Sequence, residues 1–285
     1  MFAQIVRRLA IAVPTMLAII VVAFLLIHAA PGGPFDREKQ VPPEIQQRLE
    51  HAYNLDLPVG AQLGIYLGRL AHGDLGPSMK YKDKDVFEII SEGLPTSALL
   101  GACAMALAIS FGVGFGVLAA LRQNKPQDYV VMGVAVLGIC LPPLVTGPVF
   151  SLLFGVQLHW LPMGGLHRDE FGWRYLVLPV LTLALPQIAI ISRLTRAGMI
   201  DVLRSNPIRT ARAKGLPEAQ VIWRHALPIA ILPVVSYLGP AIAGVLTGSF
   251  VVENVFQLPG VGQQFVTAAL TRDYTTVLGG VIVYA

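Results

Sequence analysis

The residues best suited to chemistry lie in the stretch 204–228, RSNPIRTARAKGLPEAQVIWRHALP. Five cations, Arg204, Arg209, Arg212, Lys214 and Arg224, stand there against one acid, Glu218. That imbalance suits docking to an acidic surface. No catalytic residues are expected. Ser110, Ser151 and Ser192 have no accompanying His/Asp frame, so a membrane-embedded hydrolase lacks its nucleophile–base pair. His51, His72, His159 and His167 are scattered without an HExxH or other metal-ligand spacing, so no metal site is expected. His28, at the end of an apolar run, reads as an interface residue. No GxxxxGK[ST] loop occurs, so any ATP that drives this protein is hydrolysed on another chain.

The basic stretch reads as two short helices joined at a glycine. Asn206 is the expected cap of the first, with Pro207 in its first turn, where a missing N–H costs nothing. Gly215 ends that helix by entering the left-handed conformation cheaply. Pro217 and Glu218 suit the start of the second, and Pro228 marks the turn into the next apolar run. Positive residues beside a membrane span can merely set topology, but a cap, two helices and a hinge are more order than that task needs.

Around this stretch the chain is apolar. Its mean hydropathy is +0.64 and 13% of its 285 residues are charged, against about 25% in soluble chains. Continuous apolar runs recur at lengths near the roughly 20 residues of a membrane span, so the expected class is an all-α polytopic membrane protein. Spans are expected near residues 9–30, 95–121, 129–153, 175–191 and 229–252, and a run from Thr275 is too short to cross. The third is interrupted at Pro142-Pro143 and Pro148, and the second is dense in Ala and Gly, which favour close helix packing. A secretory signal at the N-terminus is the competing reading of the first run, which is longer than the about 7–15 apolar residues of such a signal. Residues 31–94 read as a small helical insertion. Pro42-Pro43-Glu44 starts one helix, Leu63, Tyr66, Leu67 and Leu70 stripe a second, and Val86, Ile89 and Ile90 suit a short helix on the membrane surface. Trp160 and Trp173 suit an interface belt, on a loop that also carries Asp169 and Glu170. Cys103 and Cys140 fall in expected spans and read as small packing residues.

Sidedness follows from the positive-inside rule. With Arg7 and Arg8 in the cytoplasm, the insertion faces out and holds ten acids against seven lysines and arginines. Residues 193–228 face in and hold seven lysines and arginines against Asp201 and Glu218. The formal charge of +4 thus follows the membrane and does not point to nucleic acid. The outward segment 253–274 carries a Pro259-Gly260 turn, Gly262 and a short amphipathic stretch. It reads either as a plain loop or as a re-entrant segment touching substrate or a binding protein. Glu253 is either a helix cap or a contact for a peptide amine or a binding-protein cation.

The spacing from Gly215 to Leu227-Pro228 resembles the cytoplasmic motif of permeases of binding-protein-dependent ABC importers: Glu-Ala-Ala, three residues, Gly, nine residues, Ile-x-Leu-Pro. Arg209, Thr210 and Ala211 stand at the Glu-Ala-Ala positions and His225 at the isoleucine, which are departures. RRLAIAVPT, APGGPF, GDLGPS with KYKD, and VVENVFQLPGVGQ are similar to the B-type permease subunits of oligopeptide and dipeptide importers. The resemblance implies a type I ABC importer transmembrane domain of six spans, the last continuing past this sequence. It implies a division into 1–30 (first span), 31–94 (periplasmic insertion) and 95–285 (core permease). It also implies partners: a homologous second permease, two cytoplasmic ATPases carrying ATP and Mg, an extracytoplasmic peptide-binding protein, a peptide substrate and the bilayer of a bacterial inner membrane. No cofactor is implied on this chain. Arg209, Thr210, Ala211, Arg212, Ala213, Lys214, Gly215 and Leu216 become the expected ATPase-coupling residues. Cations there would pair with partner acids, and Ala211, Ala213 and Leu216 would seat in the partner. The alternative is a stand-alone secondary carrier or channel. The scarcity of charge inside the spans argues against ion coupling.

Overall fold

The computed structural model describes residues 2–30, 32–35, 43–81, 83–165 and 172–285. His167, Asp169 and Glu170, and Pro31, Pro42 and Lys82 of the segments quoted above, lie outside the described residues. Among the described residues the elements are all helical, with one isolated bridge between Pro77 and Asp85. Contacts divide the chain into two compact units, Met1–Thr96 with Pro259–Ala285, and Ser97–Leu258.

The first unit holds α1 (Phe2–Ala29), α2 (Pro43–Ala52), α3 (Val59–Ala71), the first turns of α4 (Val86–Leu121), α12 (Val261–Thr271) and α13 (Tyr274–Tyr284). The Leu63/Tyr66/Leu67/Leu70 stripe of α3 packs on Ile20 and Phe24 of α1 and Leu278 of α13. Burial there pushes the Tyr66 phenol up to about 12. His28, in the last turn of α1, is held by its neighbours. Its ring stacks on Phe24, and Nε2 lies 3.0 Å from Gln62 Oε1 of α3. The expected surface helix at Val86, Ile89 and Ile90 is a correction. These residues are buried in the opening turns of the 36-residue α4, which runs through Pro95. They have a protein partner, because Gly279 lets α13 lie directly against Val86 and Ile90.

The second unit holds the rest of α4, α5 (Pro126–Cys140), α6 (Pro143–Phe150) continued by π-helical turns Ser151–Gln157, and α7 (Arg174–Leu203). It continues with α8 (Asn206–Ala213), α9 (Glu218–Gln220) running into π-helical turns Val221–Ala226 and α10 (Leu227–Ala230), and α11 (Leu232–Val255). Its main core gathers Leu100, Met105, Leu178, Val252, Phe256 and Leu258. The third expected span is a bent pair, α5 and the helix after it, turned by 105° at Pro142-Pro143, where two successive residues lack an N–H. The fourth is longer than its apolar run. The helix of α7 continues past Ile191 through Arg193, Arg196 and Asp201 to Leu203. Charge ended the hydropathy signal there, but a helix needs no apolarity where its charges are paired or solvated. Among the described residues four helices are long and apolar enough to cross a membrane, and the bent pair is a fifth where it crosses as one span rather than re-entering.

Candidate coupling surface

The chain leaves α7 at Arg204 and turns into α8. Ser205, extended at φ −74° and ψ 157°, stands at the N-cap, with no side-chain cap hydrogen bond, and Pro207 lies in the first turn. Asn206 is therefore the first helical residue and not the cap, one position from its expected place. At the other end Gly215 has φ +76°. Its N–H donates to the Arg212 carbonyl at 2.9 Å, and the Leu216 N–H donates to the Ala211 carbonyl at 3.4 Å. These two bonds are the pair that closes a helix through a left-handed residue, together with the usual apolar contact across the closure. A Cβ on Gly215 would meet nothing within 4 Å, so the conformation demands glycine here and space does not.

The two short helices have an inner and an outer face. Ile208, Ala211, Val221, Ile222 and Ala226 are buried against Met199 of α7, Val117 and Ala120 of α4 and Ala230, with Leu216 packed on the same cluster. Ala211 and Leu216 thus seat in the chain's own core and are not free to seat in a partner, which corrects that expectation. Helical spacing decides it, because Ile208, Ala211 and the closing Leu216 share one side. Arg209, Thr210, Ala213, Lys214 and Gly215 are exposed. So are Arg224, His225 and Trp223, the last at 59%. Trp223 went unread in the sequence, although an indole inside an inward basic loop was the available signal.

Arg212 is occupied within the chain. Its guanidinium donates to both Glu218 oxygens, at 2.5 and 3.1 Å. That hydrogen bonding holds the Glu218 carboxyl below its ordinary range and raises Arg212. The free basic surface is therefore smaller than the sequence count. Leu227 packs half-buried beneath it, while Pro228 is exposed inside a continuing helix. The wider π-helical turns just before Pro228 absorb the missing N–H that was expected to force a turn.

A charge pair that sequence reading missed sits behind this surface. Arg196 of α7 donates through Nε and Nη2 to the two oxygens of Asp128 of α5, each at 2.6 Å, and the Asn124 N–H donates to the same carboxylate at 3.0 Å. Asp128 is only 2% exposed. The partners are 68 residues apart, and the one signal was a lone acid ending an otherwise basic short loop.

The outer-mouth candidates fall in different units. Glu253, in the last turn of α11, is fully buried, and its backbone carbonyl accepts the Leu258 N–H at 2.8 Å. That position rules out an N-cap role. Gly260 is the N-cap of α12, Gly262 is buried in its first turn and Pro259 is exposed. A Cβ on Gly93 would come within 2.7 Å of the Val261 nitrogen, so that turn rests on the start of α4. The same unit holds a second missed feature. The Asp273 carboxylate caps α13 and accepts from Ser78 Oγ at 2.5 Å, the Met79 N–H at 3.1 Å and Thr276 Oγ1 at 2.8 Å. The GDLGPS turn is anchored there.

Residues 112–285 match the family described as binding-protein-dependent transport system inner membrane component. The oligopeptide transport system permease protein OppB of Escherichia coli (strain K12) is 48% identical over 274 residues, which are 96% of this chain and 89% of that protein. The chain belongs to the binding-protein-dependent transport system inner membrane components. The OppB of Haemophilus influenzae is 46% identical over 95% of this chain and 88% of that protein. The dipeptide transport system permease protein DppB of Bacillus subtilis is 39% identical over 95% and 87%. This inner membrane component has the type I importer fold expected from its sequence, and it is a multi-pass inner-membrane protein. It is a permease subunit and not an enzyme. It works with a partner permease, ATPases and a binding protein, and the ATPase activity resides on partner subunits.

Proposed function

We infer that the chain is the non-hydrolytic permease subunit of an ATP-driven peptide importer and that residues 204–228 are its ATPase-coupling element. The observation that carries the coupling assignment is the two-faced build of α8 and the turns after Gly215. An apolar underside is sunk into α4 and α7, and an exposed face carries Arg209, Lys214, Trp223 and Arg224. A helix so attached moves with the spans beneath it, because packed helices shift as units. One of two cytoplasmic ATPases, which hold ATP and Mg, docks on that face. A homologous second permease completes the peptide path, and an extracytoplasmic binding protein delivers peptide. The N-terminus is cytoplasmic, as the balance of lysine and arginine requires. Peptide as substrate rests on the names of the OppB and DppB relatives.

Reconstitution tests this reading. Liposomes containing the chain with its second permease, ATPases and binding protein should take up labelled peptide only when ATP is supplied on the ATPase side. The chain alone should take up none. Uptake by the chain alone would replace the reading with the stand-alone carrier.

A further inference from the structure

We propose that the Asp128–Arg196 pair is a positioning strut that transmits movement of the coupling element into α5, an inference that rests on the permease reading above. Three observations carry it. The coupling element is seated on α7 through Met199, which is fully buried against Ile208, Ala211 and Val221. Arg196 lies one turn before Met199 on the same helix, so a shift of α8 reaches it directly. From there the forked guanidinium grips both oxygens of a carboxylate that is 2% exposed. A two-point planar contact resists rotation as well as separation.

Packing also joins α5 to α7, but the ion pair adds a directional contact to it at one end of α5. A cleft of about 260 Å³ opens among α4, α5 and α7, lined by Phe115, Val131, Val134, Leu185 and Ile188 among others. Beyond it, α5 touches α7 at Gly138, where a Cβ would lie 3.2 Å from the Leu185 carbonyl oxygen. The ion pair thus fixes one end of α5 to α7, and Gly138 marks close contact near the other end. The remaining path is short. After the 105° bend α6 meets the end of α11, where a Cβ on Gly147 would lie 3.1 Å from Val255 and 3.2 Å from Phe256. A carboxylate as buried as Asp128 needs its charge partner, so loss of the Arg196 side of the pair should be felt in α5.

The test uses the reconstituted complex and reads peptide taken up per ATP hydrolysed, with assembly followed by co-purification. Arg196→Gln should assemble and hydrolyse ATP while uptake per ATP falls at least about tenfold. Arg196→Lys, which keeps the charge but loses the fork, should fall in between. Asp128→Asn, which keeps the shape and loses the charge, should resemble Arg196→Gln. An unchanged ratio in assembled Arg196→Gln would overturn the strut. So would parallel loss of uptake and hydrolysis, or failure of both single variants to assemble, since the pair would then serve the fold alone. A failure of the unaltered complex to import peptide would count against the permease reading. A normal unaltered complex with an unchanged variant ratio counts against the strut only.

Discussion

Gly215 separates two demands that glycine can meet. Its φ of +76° would cost a residue with a Cβ roughly 1–2 kcal/mol, and asparagine the least. Beyond its two chain neighbours, no described atom lies within 4 Å of where that Cβ would be. With the Cβ position open, a bulky side chain here adds to the φ strain chiefly by obstructing a docked partner. Gly215→Asn should therefore retain most peptide uptake. Gly215→Trp should insert at normal levels and hydrolyse ATP without uptake, read by immunoblot of membranes and by transport in reconstituted liposomes. Normal uptake by Gly215→Trp would remove the coupling assignment. The same residue shows what sequence could say at this scale. The glycine, its flanking prolines and the distance to Leu227-Pro228 were legible, because turn chemistry is local. The partners of Arg212 and Arg196 were not, because a charge in a sequence carries no sign of whether its counter-ion lies on the same chain. The inward turn of Ala211 and Leu216 followed from helical phase, which becomes readable only once the first residue of α8 is fixed.

Helix α4 carries its small residues on two faces, and the faces differ. A Cβ on Gly116 would lie 2.5 Å from Thr195 Cβ and 2.6 Å from the Ser192 carbonyl oxygen, whereas one on Gly114 would meet nothing within 4 Å. Composition alone did not separate them, since the run read only as dense in small residues that favour close packing. Gly116→Leu should force α4 off α7 and destabilise the purified chain by about 1–3 kcal/mol. Gly114→Leu should leave thermal unfolding in detergent nearly unchanged. Equal effects would mean that α4 and α7 do not meet as described. The existence of each long helix was legible because hydropathy is a one-dimensional signal. Two boundaries were not. Helix α7 outruns its apolar stretch by the turns that carry Arg193, Arg196 and Asp201, and α4 begins at Val86, before its apolar stretch. Hydropathy marks where a helix is greasy, and backbone hydrogen bonds decide where it stops.

The whole molecule has a sidedness that its charges set and its helices must obey. Residues 193–228 hold seven lysines and arginines against two acids, while residues 31–94 hold ten acids against seven lysines and arginines. On the positive-inside reading an odd number of crossings separates them. Residues 86–121, the bent pair of α5 and α6, and α7 provide three. That count depends on the bent pair crossing once. If it dipped and returned, α4 and α7 alone would bring the chain back to the side it left, and the coupling element would stand outside with the insertion. Single cysteines decide between these, in a chain whose Cys103 and Cys140 have been replaced by alanine. Both test positions are exposed, Asp83 in the insertion and Lys214 beside Gly215. In intact cells a membrane-impermeant maleimide should label Asp83→Cys and not Lys214→Cys. Permeabilisation should then add the second label. Labelling of Lys214→Cys in intact cells would place the basic surface where no ATPase can reach it and would remove the coupling assignment, whereas loss of the Asp83→Cys label in intact cells would remove the cytoplasmic N-terminus.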